Sequence, residues 1–245
     1  MPRNRILTTL VNFDIAVLLF VIVDLLMSVP ITPSQVLQSL IGWGSVGNSN
    51  WYIFDIILCY LITYVVFRYF VGYPLLFGMG IFLVVVVVLA ECKPPHWSNT
   101  LLAYFAGIVF SAYKEKLVVY MKKYYWIALV TSLSMFVAVK ILFKGDFSAW
   151  CIRDNVCSVL FALLVVLITM KIQMQNKVLI WLGKGLFPLY IYQRMPMIIF
   201  YELDGGIFVR NHVLVYMAIC LIVTVGIAFF YRYWNVGSRC KSDAK

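Results

Sequence analysis

Apolar residues gather along the chain in eight long runs, near residues 6–28, 51–71, 74–90, 99–113, 124–143, 155–171, 179–200 and 212–233. Short stretches rich in Lys, Arg, Asp, Pro and Asn separate them. The hydrocarbon core of a bilayer takes about 20 apolar residues of helix, each rising about 1.5 Å. Most of the runs reach that length, so the pattern predicts an all-α polytopic membrane protein of about eight transmembrane helices, one domain over 1–245. The fourth run is short, and the third is expected to tilt or break near Gly78 and Gly80. The connection 29–50 carries no charge. Thr32-Pro33-Ser34 reads as a helix start, and Val36, Leu37, Leu40 and Ile41 recur at helical spacing after it. A short amphipathic helix on the outer surface is expected there, ending in a Gly-rich turn at 42–47.

Composition strengthens this picture. Of 245 residues, 64% are hydrophobic and only 12% charged, against roughly 25% charged in an ordinary soluble domain. The net charge of +10 does not point to nucleic acid, because the basic residues sit in short inter-helix loops rather than on one soluble face. They set orientation instead. With the N-terminus cytoplasmic, fourteen of the 20 Lys and Arg fall on the inner side, among them Arg3, Arg5, Lys114, Lys116, Lys122 and Lys123. Both termini are therefore expected inside. The first apolar run is too long for a cleavable signal peptide and no small-residue cleavage site follows it.

Ionisable residues inside spans carry the most information, since each costs about 2.5–3.5 kcal/mol at mid-helix on insertion scales. Asp14, Asp24, Asp55, Lys184 and Arg194 are such residues. Lys184 is near enough to the inner face to snorkel, and Arg194 has the same option outward. Yet Tyr190, Gln193, Arg194 and Met197 recur at i, i+3, i+4 and i+7, which places them on one helix face. A polar stripe of this kind faces a cavity or the bundle interior. Pro188 and Pro196 flank it and remove backbone donors, as in kinked segments that border cavities. Arg194 is expected to pair with Asp55 or Asp24. Trp51, Tyr52 and Asp55 share a face at the start of the second span, where the aromatics also fit an interfacial belt.

Motifs with self-contained chemistry are missing. No nucleophile elbow, P-loop or dinucleotide fingerprint occurs. His96 and His212 lie in outer loops without a Ser, Asp or Cys at a telling distance. The six cysteines show no metal spacing, so no metal is expected. Cys151 and Cys157 have a spacing that permits a bridge if their loop faces an oxidising compartment.

Several stretches together resemble acyltransferase family three, integral-membrane enzymes that move acyl groups onto sugars. WLGKGLFPLYIYQRMP is similar to that family's late helix, in which a Leu-Gly-Lys start leads to Tyr-x-x-x-His-x-Pro; here Tyr190, Gln193, Arg194 and Pro196 stand in that region and the histidine is absent. SNWYIFDIILCYLITY resembles the family's Trp-Phe/Tyr helix opening, NRILTTL its basic cytoplasmic entry, and LLAYFAGIVFSAY its Gly-containing short span. The family has about ten core helices, with an Arg and a general-base His on the first. By its motifs this chain begins after that helix, and the resemblance accordingly implies an N-terminally truncated enzyme with weak or no catalysis of its own.

The resemblance implies a cell-membrane O-acyltransferase that takes acyl-CoA, acetyl-CoA above all, as co-substrate from the cytoplasm and acylates a cell-surface polysaccharide or glycan hydroxyl. No bound cofactor is expected, the catalytic group is not identified, and the partners are the bilayer, the donor and the glycan. Trp51 and Tyr190 would stack on the sugar, and Asp55, Gln193 and Arg194 would orient its hydroxyls. Arg3 and Arg5 would meet the donor phosphates, although their place near the inner face also follows from topology alone. Two other classes stay open: a transporter or flippase for a lipid-linked sugar, which mid-membrane carboxylates and broken helices suit equally well, and a non-catalytic subunit.

Overall fold

Packing of the apolar runs gives an all-helical protein, with no strand among the described residues. The computed structural model describes all residues except 1, 45, 47–49, 144–146, 173–175 and 243–245. The side chains of 2–5, 50, 147–150, 204 and 232–242 also lie outside the description. Six described helices are long and apolar enough to cross a membrane, within Ile6–Leu26, Trp51–Tyr69, Pro74–Cys92, Tyr125–Leu142, Cys151–Lys171 and Val213–Tyr231. These correspond to six of the eight predicted runs and mark a multi-pass membrane protein. The other two runs fold differently. That at 99–113 forms a helix of 12 residues, Leu101–Ala112, only about 18 Å long at 1.5 Å per residue. That at 179–200 is broken twice.

Contacts divide the chain into two compact units, residues 3–54 with 175–245, and residues 55–174. The first holds α1 (Pro2–Leu26), α2 (Pro33–Leu40) and the first turn of α3 (Asn50–Tyr69). The second begins with the rest of α3 and continues with α4 (Pro74–Cys92), a 3₁₀ turn at Pro95–Trp97, α5 (Leu101–Ala112), α6 (Lys114–Lys123), α7 (Tyr125–Leu142) and α8 (Phe147–Lys171). The first unit resumes with α9 (Lys177–Lys184), α10 (Leu186–Tyr192), α11 (Arg194–Asp204), α12 (Ile207–Asn211) and α13 (Val213–Ser242).

In the first unit the predicted short helix is present as α2. Thr32 is its N-cap: the Gln35 N–H donates to Thr32 Oγ1 at 3.3 Å, and the Thr32 N–H donates to Gln35 Oε1 at 2.9 Å. This reciprocal pair is a capping box, and Pro33 supplies a pre-set first helical residue. The helix ends on Gly42 at φ 77°. Trp43 N–H donates to the Gln38 carbonyl at 2.8 Å and Gly42 N–H to the Ser39 carbonyl at 3.0 Å, the two bonds of a Schellman motif. α1 ends in the same way with a different residue. Val29 N–H donates to Asp24 O and Ser28 N–H to Leu25 O, with Ser28 at φ 58°. Buried Ser39 then accepts the Val46 N–H at 2.8 Å and ties the turn after α2 back onto the helix.

In the second unit α7 packs on α8, α8 on α5, and α5 on α4. Gly78 permits the last approach, because a Cβ there would meet Phe105 Cε2 at 3.0 Å. A polar network at one end fixes the start of α5. Asn155 of α8, only 1% exposed, accepts the Leu102 N–H at 3.3 Å and donates to the Cys151 carbonyl at 3.1 Å. Ser98 Oγ and Cys151 Sγ lie 3.4 Å apart beside it. Asp154 takes Arg153 at 2.9 Å, Asn99 at 3.1 Å and Lys140 at 3.4 Å. Just outside the α4 span, Lys93 lies 4.6 Å over the Trp97 ring, and burial pulls its ammonium below the usual lysine range. The bridge allowed by the spacing of Cys151 and Cys157 is not formed; both are buried free thiols. They lie six residues apart on one continuous helix, which turns their side chains to different sides.

Candidate functional site

Two prolines shape the segment that the sequence marked. A proline lacks the N–H that closes the helical bond to the residue four before it, so Pro188 and Pro196 deprive the Lys184 and Tyr192 carbonyls of their helical donors. The chain breaks beside each of those carbonyls. α9 stops at Lys184 with Gly185 as its cap, and α10 stops at Tyr192 with Gln193 as its cap. Each new helix then carries its proline in the first turn, where no donor is missed. The expected single helix over 179–200 is thereby corrected to three short ones.

These short helices pack on α13. Trp181 and Phe229 bring ring centroids to 6.3 Å, and Tyr192 and Tyr231 to 5.8 Å. Tyr216 Oη donates to the Met197 carbonyl at 3.4 Å. Between them lies a cavity of about 450 Å³. Its walls are mostly aliphatic, including Leu186 and Leu189 on one side and Leu221 and Val225 of α13 on the other. Tyr190, Gln193, Cys220 and Thr224 add the polar groups. Thr224 is buried and spends its hydroxyl proton on the Cys220 carbonyl at 2.7 Å. The Gln193 amide makes no hydrogen bond among the described residues.

Of the four residues predicted to share a face, Tyr190, Gln193 and Met197 do line this cavity, and Arg194 does not. Tyr190 also reaches beyond it. Its ring lies 4.6 Å edge-on from Tyr52, which in turn lies 6.0 Å edge-on from Trp51. Trp51 and Tyr190 therefore belong to one aromatic run leading away from the cavity. Arg194 is solvent- or lipid-facing. The ion pair expected for it with Asp24 is not formed, since no carboxylate among the described residues of its own unit lies within 4 Å; Asp55, the alternative partner, lies in the other unit. Gln193 keeps helical dihedrals, φ −56° and ψ −30°, and Arg194 follows it on the outward side. There its charge acts on Asp24 of α1 only at longer range, alongside that of Glu202.

Asp55 belongs to the other unit. It is 5% exposed, and neither carboxylate oxygen has a hydrogen-bond partner among the described residues. One oxygen of Asp14 on α1 is in the same condition. The Arg3 and Arg5 side chains lie outside the described residues. His96 and His212 are exposed, as expected of loop residues. No cluster of three metal-ligating groups occurs among the described residues. Sequence reasoning missed the α13 wall: Cys220, Leu221, Thr224 and Val225 read as any lipid-facing run, and only the buried Thr224 hinted at a second surface.

Comparison with family models, with curated proteins and with solved structures finds no match to this chain.

Proposed function

We propose that the protein is a membrane-bound O-acyltransferase whose substrate cavity lies between α10–α11 and α13. The sugar hydroxyl oxygen forms the new ester bond, the thioester C–S bond of acyl-CoA breaks, and the hydroxyl proton leaves with the coenzyme thiol. The observation that carries this reading is the position of Tyr190. It lines the cavity beside the Gln193 amide, which has no hydrogen bond among the described residues, and touches Tyr52 of an edge-to-face aromatic run. Aromatic faces suit a sugar ring and the amide suits its hydroxyls, while the aliphatic walls exclude water from the reacting ester. Arg194, exposed and next to Gln193 in the chain, offers a planar donor set for an anionic group of the substrate.

The test is transfer of radiolabelled acetyl from acetyl-CoA to envelope glycans by membranes that contain the protein. Transfer above background is expected for the unaltered chain. Gln193→Ala is expected to lower it about tenfold, in line with one lost hydrogen bond of about 1–1.5 kcal/mol, and Tyr190→Ala more. No transfer by folded protein with any of several acyl donors overturns the reading. A transporter or flippase for a lipid-linked sugar is the second reading, favoured by the Asp55 carboxylate, in a span and without a hydrogen-bond partner among the described residues, and by the interrupted helix. Movement of such a lipid across proteoliposomes without acyl transfer, abolished in Asp55→Asn, would establish it instead.

A further inference from the structure

α6 is set off from the helices before and after it by a tyrosine at each end. Tyr113 and Tyr124 leave the helical region, at φ −112°, ψ 19° and φ −113°, ψ 34°. Between them α6 turns Met121 inward and leaves Lys114, Lys116, Lys122 and Lys123 exposed. The chain fixes this helix at the membrane surface. The α7 span begins at Tyr125, two residues after Lys123 and so about 3 Å from it at 1.5 Å per residue. Trp126, 70% exposed in the first turn of that span, stands where an interfacial aromatic belongs. The α8 span ends at the same level. Lys171, its last residue, places Nζ 5.1 Å over the Tyr125 ring, and Lys123 Nζ lies 5.1 Å over Tyr124.

Membrane orientation needs lysines on one side of the bilayer, but it does not need them held together. Here two rings from the α6–α7 junction hold two ammoniums at one level, with exposed Lys122 next to Lys123 in the chain. No carboxylate among the described residues lies within 4 Å of any of the three. Glu115, the one acid on α6, stands seven residues before Lys122, about 10 Å away along the helix. An ammonium carries three donors and a ring face takes one side of it, so each lysine keeps donors for the phosphate of an adjoining lipid. A zwitterionic headgroup brings its own cation to that phosphate, whereas a headgroup of net negative charge leaves it to the lysines. We infer that Lys122, Lys123 and Lys171, set by Tyr124 and Tyr125, form a binding site for the headgroup of an anionic glycerophospholipid. The site uses none of the residues assigned to acyl transfer and does not depend on that reading.

Native mass spectrometry of the purified full chain in detergent tests it, with dioleoyl phosphatidylglycerol and dioleoyl phosphatidylcholine as probes. Phosphatidylglycerol is expected to bind about tenfold tighter, the increment of one charge-assisted contact. Lys122→Gln/Lys123→Gln/Lys171→Gln is expected to bring the two lipids to parity. Tyr125→Leu keeps every charge and removes only the ring under Lys171. It is expected to lower the preference about threefold, and Tyr125→Phe, which keeps the ring, to leave it intact. Lys93→Gln, also a lysine over a ring but beyond the far end of α5, is expected to change nothing. Equal affinity for the two lipids in the unaltered chain, or an undiminished preference in the triple variant, overturns the proposal. So does a preference unmoved by Tyr125→Leu, which marks a diffuse basic surface, or full displacement of the lipid by an equal concentration of inorganic phosphate, which marks a free-anion site.

Discussion

Ser28 and Gly42 occupy equivalent positions at the ends of α1 and α2, and the physics assigns them opposite mutational signs. Both are the left-handed residue of a Schellman motif, at φ 58° and 77°. That conformation crowds a Cβ against the following carbonyl, at a cost of about 1–2 kcal/mol for an L-residue. Ser28 bears the cost and Gly42 avoids it. Ser28→Gly is therefore expected to stabilise the protein by up to about 1 kcal/mol, part of the gain being offset by the wider freedom of glycine in the unfolded chain. Gly42→Ala is expected to destabilise it by about 1–2 kcal/mol through the left-handed backbone alone, its new Cβ resting in ordinary contact with Phe54 at 3.4 Å. Thermal unfolding in detergent measures both. Shifts of the same sign in the two variants would refute the argument.

Among the elements, those whose signals are local were the legible ones. The apolar run lengths gave the six long helices, and Thr32-Pro33 gave the start of α2 together with its cap. The prolines predicted disruption in 179–200, but the sequence did not say whether the helix would bend or divide, because that depends on how its freed carbonyls are met after packing. Its polar stripe was read as one face. Gln193 stays helical at φ −56° and ψ −30°, and Tyr190, Gln193 and Met197 keep the predicted face, while Arg194 turns outward beside it. α6 was hidden for another reason: its five charges, Lys114, Glu115, Lys116, Lys122 and Lys123, look like a loop until Leu117, Val118 and Met121 are seen to turn one side away from solvent. Pro196→Ala is expected to rejoin α10 and α11 by giving residue 196 an N–H that reaches the Tyr192 carbonyl. Hydrogen exchange should then show slower exchange at residues 193–197, with the direction of Gln193 unchanged, since its φ of −56° and ψ of −30° are already helical. Unchanged exchange would mean that packing on α13, rather than the missing donor, makes the break.

For the whole molecule, the basic residues decide how the shorter segments relate to the bilayer. If only the six long helices cross, strict alternation puts Lys114, Lys116, Lys122 and Lys123 on the side opposite Arg3 and Arg5. If the segments at 99–113 and 179–200 cross as well, all six lie together, as the positive-inside rule favours. Lys116 is exposed on α6. In a background lacking the exposed Cys92, Lys116→Cys is expected to resist an impermeant maleimide in intact cells and to react in inverted vesicles. Labelling in intact cells would instead fix six crossings.

The first compact unit joins residues 3–54 to residues 175–245, which carries a consequence for biosynthesis. At translation rates of about 5–20 residues per second, roughly 6–24 s pass while the intervening 55–174 are made. Throughout that interval the nascent α1 holds Asp24 without the Arg194 charge that later acts on it. A ribosome that pauses there leaves half a unit waiting in the membrane for a companion not yet synthesised.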